Sequence, residues 1–104
     1  MVSQGFDFST AEVLDWEVQA VWEALDGGEL RVSVHAQNEI NLDALTLGDV
    51  YDAISYYDEV SKDLPGEGGR APGVNFDRFV GRVRLRVKVG WRGTYYIVVT
   101  AMAN

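Results

Sequence analysis

The sequence predicts an α+β domain, in which N-terminal helices pack on one face of a mainly antiparallel sheet of four or five strands. Apolar residues recur at helical spacing in the first half of the chain, whereas the last third consists of strand-like segments. The clearest strand runs from Arg82 to Val89, where four bases alternate with four aliphatic residues. Because successive side chains of a strand leave on opposite faces, one face is expected to carry the cations and the other the core. With 104 residues and 47% hydrophobic content, one domain can form this core without support from disulfides or a metal.

The first element is a predicted helix from Ser9 to Leu25. Ser9 and Glu12 have the spacing of a capping box, and Gly27 with Gly28 is typical of a helix end. Its predicted buried stripe contains Leu14, Val18, Val21 and Leu25 with Trp22 beside them, and its predicted outward residues are Asp15, Glu17, Gln19, Glu23 and Asp26.

The middle of the chain is predicted to form a short strand, two helices and a weak strand, in that order. Alternating residues from Glu29 to Val34 indicate a strand, and a helix is expected from His35. After a bend at Asn41 to Ala44, Thr46 and Asp49 form a second predicted cap. The helix that follows is expected to turn Leu47, Val50, Tyr51 and Ile54 inward, and a weak strand signal covers Tyr56 to Lys62.

The C-terminal third is predicted to form three strands after a loop. Leu64 to Gly73 holds both prolines and is expected to be that loop. The strands are predicted at Phe76 to Val80, Arg82 to Val89 and Thr94 to Met102, with a tight turn at Trp91 to Gly93. Gly81 is expected to be either a turn or a bulge.

Charge is divided unevenly along the chain. Residues 1–61 hold 13 acids and one base, whereas residues 62–104 hold three acids and eight bases, for a total of −7. The two halves could complement each other within the fold or in a dimer, or the basic half could offer a cationic surface to a polyanion. The negative total opposes general nucleic-acid binding, since phosphate-binding proteins usually carry excess Lys and Arg.

Several classes of protein receive no support. The sequence has no cysteine, so disulfides and thiolate metal sites are excluded. Met1 to Ser9 does not resemble a secretory signal, and no apolar run approaches the roughly 20 residues of a membrane span. A cytoplasmic protein without membrane contact is expected. No phosphate-binding loop, dinucleotide fingerprint or G-x-S-x-G motif occurs, and no cofactor is expected.

His35 is the only histidine, and Glu39 and Asp43 follow it at four-residue steps on the same predicted helix face. Three roles stay open: a local hydrogen bond above an acidic face, a general acid or base, or part of a divalent-metal shell. We expect no metal.

The cationic row of Arg82, Arg84, Arg86 and Lys88 also has several interpretations. The four side chains could be solvated, could bind phosphates, or could pair with an acidic protein. Nearby aromatic residues could stack on bases or simply pack in the core and hairpin, and they are Phe79, Trp91, Tyr95 and Tyr96.

One segment resembles a known family. His35-Ala36, Ile40, Leu45-Thr46, Asp49-Val50 and Ala53-Ile54 are similar to a bacterial small-domain pattern of His-Ala-x-x-Arg-Met, then Ile-Ser/Thr, Asp/Glu-Val and Ala-Ile. That family has no known function and is grouped with BrnT-like and RelE-like toxins of the barnase-type ribonuclease superfamily. The likeness covers Val34 to Ile54 and continues loosely to Met102. Glu39 and Asp43 stand where the pattern has basic residues.

The resemblance implies a toxin-like ribonuclease domain at residues 29–104, preceded by a helical extension at residues 1–28. By its motif match, His35 would transfer protons. Arg84 and Arg86 lie on the predicted strand that such folds turn toward RNA and would hold the RNA backbone. From the cationic row and its aromatic neighbours, Arg82, Lys88, Trp91 and Tyr95 are expected to complete a binding surface for RNA or a partner. A cognate antitoxin is the implied protein partner, in a toxin-antitoxin-type system. Endoribonuclease activity stays uncertain, because two basic motif positions are acidic. The alternative is a non-enzymatic module of the same fold that binds a protein partner, or itself as a homodimer, through acidic helices and a basic sheet face.

Overall fold

The computed structural model describes residues 5–104 as three helices on one face of a five-stranded sheet, which confirms the predicted α+β class. The spatial strand order is β1-β5-β4-β3-β2, and only the β1–β5 pair is parallel. The elements are α1 (Asp15–Asp26), β1 (Arg31–Val32), α2 (Val34–Leu42), α3 (Leu47–Ser55), β2 (Glu59–Asp63), β3 (Gly73–Val80), β4 (Val83–Trp91) and β5 (Tyr96–Ala103).

The first helix begins later than predicted. Ser9 does not cap it, because the Ser9 amide and hydroxyl both donate to Asp7 at 2.9 and 2.6 Å. α1 begins at Asp15 instead, and the Glu17 carboxylate accepts the Leu14 amide at 2.8 Å. The prediction that Glu17 faces solvent is therefore wrong: its side chain is fully buried.

A buried ion pair explains the position of Glu17. Lys62 Nζ lies 2.7 Å from Glu17 Oε1, both side chains are fully inaccessible, and Lys62 also donates to the Asp7 carbonyl. Glu17 Oε2 accepts the Asp7 amide at 2.9 Å. This network ties α1 and the chain before it to the edge strand β2, and an inward-pointing charge on an edge strand also opposes edge-to-edge pairing.

The caps of the next two helices follow from local sequence. Ser33 caps α2 by accepting the Ala36 amide at 3.0 Å, so that helix starts one residue before the predicted His35 and the strand before it is only two residues long. Thr46 and Asp49 form the predicted capping box, with distances of 3.1 and 2.9 Å. Val50 and Ile54 of α3 are fully buried as predicted, whereas Leu47 is 39% exposed.

The strands follow one another along the chain as predicted, but their bounds are shifted. β3 begins at Gly73, the last residue of the predicted loop, and Gly81 is a turn with φ of +61° between the paired Val80 and Val83. Arg82 lies in that turn and is outside β4. A bulge between β4 and β5 falls at Lys88/Val89.

The hydrophobic core lies between the helices and one face of the sheet. β3, β4 and β5 supply Val74, Phe76, Val87, Val89 and Val98, all fully buried. Val18 and Val21 of α1 and Phe6 belong to the same cluster, so α1 shares one core with the sheet. Across residues 5–104, no helix is long and apolar enough to cross a membrane.

Candidate functional site

The predicted cationic row lies on the sheet face opposite the helices, but its cations do not stand free. Arg86 Nε and Nη2 donate to the two carboxylate oxygens of Asp77 at 2.8 Å each, and this bond raises the pKa of the Arg86 guanidinium. Asp77 is the cross-strand partner of Arg86, and its side chain is 3% exposed. Lys88 Nζ lies 2.8 Å from Asp63 and donates to the Ala71 carbonyl at 2.9 Å.

Arg84 differs because its side chain makes no hydrogen bond within residues 5–104. Its Nε forms a long ion pair with Asp77 at 3.9 Å and is buried without a hydrogen-bond partner. Arg86 and Lys88 therefore do not offer a free cationic surface to a polyanion, because Asp77 lies opposite Arg86 on β3 and Asp63 at the end of β2 reaches Lys88. A phosphate ligand of Arg86 would leave the buried Asp77 carboxylate without its partner, which is costly.

His35 lies away from these arginines, near the start of α2 at the outer edge of β5. Its Nε2 is 3.3 Å from Glu39 Oε1, and Glu39 accepts the Ala101 amide at 3.1 Å. Asp43 accepts the Ala103 amide at 2.9 Å. β1 pairs only with the first part of β5, so these carboxylates occupy the hydrogen-bonding position that a longer β1 would take. No hydrogen bond or ion pair among the described residues joins His35 to Arg84 or Arg86.

The predicted binding residues Trp91 and Tyr95 meet in a different place, at the turn end of the β4–β5 hairpin. Together with Tyr96 and residues of α1 they line a cleft of about 320 Å³. Two carboxylates, Glu23 and Glu29, share the cleft with the three aromatic rings. We call this the aromatic-acidic cleft; its remaining lining residues are Ala20, Ala24 and Thr94.

Two turns build the cleft. After α1, Gly28 adopts a φ of +70°, and the Glu29 amide donates back to the Ala24 carbonyl at 2.8 Å, which returns Glu29 to the side of the helix. In the hairpin, the Arg92 amide donates to the Tyr95 carbonyl at 3.0 Å and sets the cross-strand pair of Trp91 with Tyr96. The chain reversal after α1 and the hairpin turn thereby face each other across the cleft.

The aromatic rings are held firmly. Trp91 and Tyr96 have ring centroids 4.7 Å apart, and the Tyr96 hydroxyl donates to the Gly5 carbonyl at 2.7 Å. A Cβ on Gly5 would overlap the Trp91 ring, and Gly5 has a φ of +70°, so only glycine fits against that indole. The Arg31 guanidinium lies 4.1 Å from the centroid of the Tyr95 ring, a cation–π geometry.

The cleft carries negative charge. Burial of the Tyr96 hydroxyl, with the carboxylates of Glu17 and Glu23 nearby, raises the pKa of Tyr96 to about 12. Neither the Glu23 nor the Glu29 carboxylate accepts a hydrogen bond or joins an ion pair within residues 5–104. Arg31 is the cation nearest to both along the chain, and among the described residues it forms no ion pair with either carboxylate. The cleft therefore combines aromatic surface with uncompensated negative charge.

Sequence reasoning selected the aromatic half of this cleft and missed the acidic half. Glu23 was expected to be a solvated residue of α1, and Glu29 was expected to begin a strand. The Gly27-Gly28 pair is a readable signal that Glu29 returns toward α1. Their approach to the hairpin depends on long-range packing, which no local pattern reports.

Comparison with known proteins gave no match: no family model fits the chain, and no curated protein or solved structure matches it. The resemblance of residues 34–54 to toxin-like domains stays a prediction. Within residues 5–104, no group of three or more His, Asp or Glu side chains is arranged to hold a metal ion.

Proposed function

We propose that this chain is a non-enzymatic protein-binding module whose partner presents a cationic surface. The supporting observation is the set of charged side chains that form no ion pair within residues 5–104. Six of the nine Lys and Arg residues form ion pairs within the chain, among them Arg84, Arg86 and Lys88. The carboxylates left over outnumber the cations left over.

These carboxylates are concentrated in one part of the molecule. Among residues 5–104, six Asp and Glu side chains have neither a hydrogen bond nor an ion pair, and five of the six lie between residues 12 and 29. We call those five the acidic surface: Glu12, Asp15, Glu23, Asp26 and Glu29. The sixth is Glu59, on β2.

The helix geometry gathers this charge on one side. At 100° per residue, Asp15, Glu23 and Asp26 fall within an arc of about 80° around α1. A single-sign patch of this kind steers an oppositely charged partner and weakens with salt. A polyanion such as RNA would be repelled by the acidic surface and would compete with Asp77 and Asp63 for the sheet cations.

We infer a binding module rather than a ribonuclease. Ribonuclease chemistry would need a proton-transfer group beside phosphate-binding cations, whereas His35 lies at the β5 edge with Glu39. Incubation with structured and messenger RNA is expected to give no cleavage above background, with wild type and His35→Ala alike. Cleavage that His35→Ala abolishes would overturn the proposal in favour of the enzyme.

Binding is best tested with two ligands of opposite charge and one matched variant. We expect the protein to bind an Arg/Lys-rich peptide in isothermal titration calorimetry at low salt, and to leave a single-stranded RNA oligonucleotide unbound. Neutralising Asp15 and Asp26 together, as Asn, is expected to weaken peptide binding about tenfold, since exposed charge pairs contribute up to about 1 kcal/mol each. Glu59→Gln is the control, because it removes one unpartnered carboxylate outside the acidic surface.

Two outcomes would count against the proposal. One is RNA binding that Arg84→Ala abolishes, which would return the function to the sheet cations. The other is basic-peptide binding that falls equally in the control and in the doubly neutralised variant, which would reduce the effect to net charge. The natural partner should be sought first in the product of the neighbouring gene, as the toxin-antitoxin resemblance suggests.

A further inference from the structure

We propose that the aromatic-acidic cleft receives a single arginine side chain from the basic partner. This inference rests on the proposed function and adds the chemistry of one recognition site to it. The cleft presents a buried Tyr96 and half-buried Trp91 and Tyr95 rings beside the two unpaired carboxylates of Glu23 and Glu29. An arginine has a flat cation on an apolar stem, and the cleft offers a surface for each part.

The aromatic side favours a guanidinium. Trp91 offers the best kind of ring for a cation–π contact, and its half-buried side chain lines the cleft. One face of Tyr95 already carries the Arg31 guanidinium, 4.1 Å from the ring centroid, so a ligand would use the part of that ring that Arg31 leaves open. The rings need no rearrangement for binding, because Trp91 is packed against Gly5 and Tyr96 while the Tyr96 hydroxyl bonds the Gly5 carbonyl. A rigid aromatic wall loses little conformational entropy when a ligand binds.

The two carboxylates of the cleft also favour a guanidinium. Glu23 comes from α1 and Glu29 from the reversal behind Gly28, so the two carboxylates reach the cleft from two elements. Carboxylates accept the parallel N–H donors of a guanidinium in bidentate fashion, which the compact ammonium of lysine does not match. Both glutamates are free to do so, because no cation of residues 5–104 pairs with them.

The experiment compares three short peptides that differ at one central position: arginine, lysine and citrulline. Citrulline keeps the shape of arginine and removes its charge, so it isolates the cation. Binding to the full chain is followed by calorimetry and by two-dimensional NMR, with the Trp91 indole as reporter. We expect the arginine peptide to bind more than tenfold more tightly than the citrulline peptide, with lysine between them.

Protein variants then locate the site. Glu23→Gln and Glu29→Gln are each expected to weaken the arginine peptide three- to fivefold, roughly the effect of losing one exposed charge pair. Glu59→Gln is the matched control, because it removes the same charge outside both the acidic surface and the cleft and should leave the affinity nearly unchanged. Tyr95→Leu keeps apolar volume but removes the ring face, and it should weaken arginine more than citrulline.

The outcomes separate this inference from the proposed function. If basic peptides bind and Asp15 and Asp26 matter while citrulline and the cleft variants do not, the cleft inference is wrong and the binding-module proposal stands. Equal affinity for lysine and arginine would also refute the guanidinium assignment. If no basic peptide binds at all, both proposals fail.

Discussion

The buried pair of Glu17 and Lys62 makes the sharpest prediction about stability. Glu17→Gln keeps the size of the side chain but leaves the Lys62 ammonium, which is fully inaccessible, without its 2.7 Å carboxylate partner. Gln also provides only one oxygen, where Glu17 accepts both the Asp7 amide at 2.9 Å and the Leu14 amide at 2.8 Å. Removing one partner of a buried ion pair typically costs about 3–5 kcal/mol, a large part of the roughly 5–15 kcal/mol available to a domain.

Urea unfolding followed by circular dichroism at neutral pH measures this change. Glu59→Gln, an exposed carboxylate without a partner, should change the free energy of unfolding by less than about 0.5 kcal/mol. Adding Lys62→Met to Glu17→Gln removes the stranded charge and should recover at least about 2 kcal/mol. The reasoning is refuted if Glu17→Gln is no more destabilising than Glu59→Gln, or if the double variant is less stable than Glu17→Gln alone.

Three further predictions concern titration and the sheet edge. Burial acts to raise the pKa of Asp63, but its hydrogen bonds with Lys88 and the Asn75 amide outweigh burial and hold that pKa below the ordinary value. The stabilisation by Asp63 is therefore complete above about pH 4 and is lost as pH falls through the lowered pKa, so unfolding measured from pH 6 to 2 should be less acid-dependent in Asp63→Asn than in wild type. In ultraviolet titration of the tyrosines, Tyr96→Phe should remove a component with a midpoint near pH 12, and an unchanged high-pH component would contradict the assignment. Replacing both Glu39 and Asp43 with Ala should destabilise the fold by about 2 kcal/mol, because two β5 amides lose their acceptors, and should promote edge pairing visible as a higher mass in light scattering; a stable monomer would show that the edge needs no cap.

The sequence by itself determined the elements whose cause is local. The Thr46 and Asp49 cap, the helix end at Gly27 and the alternation of β4 depend on neighbours along the chain, and the structure has all three. The order of strands in the C-terminal third was readable for the same reason. Composition also predicted one core of ordinary size.

Tertiary structure decided which charges remain available. The sequence shows no partner for Arg86 or Lys88. In the sheet, antiparallel pairing with β3 places Asp77 opposite Arg86, and Asp63 at the end of β2 lies 2.8 Å from Lys88. A helical wheel places Glu17 on the solvent side of α1. Its burial is tolerated only because Lys62, on strand β2, pairs with its carboxylate. Coulomb and desolvation energies depend on distances in space, and residues far apart in sequence set those distances. The aromatic-acidic cleft follows the same rule, because its two halves come from opposite ends of the chain.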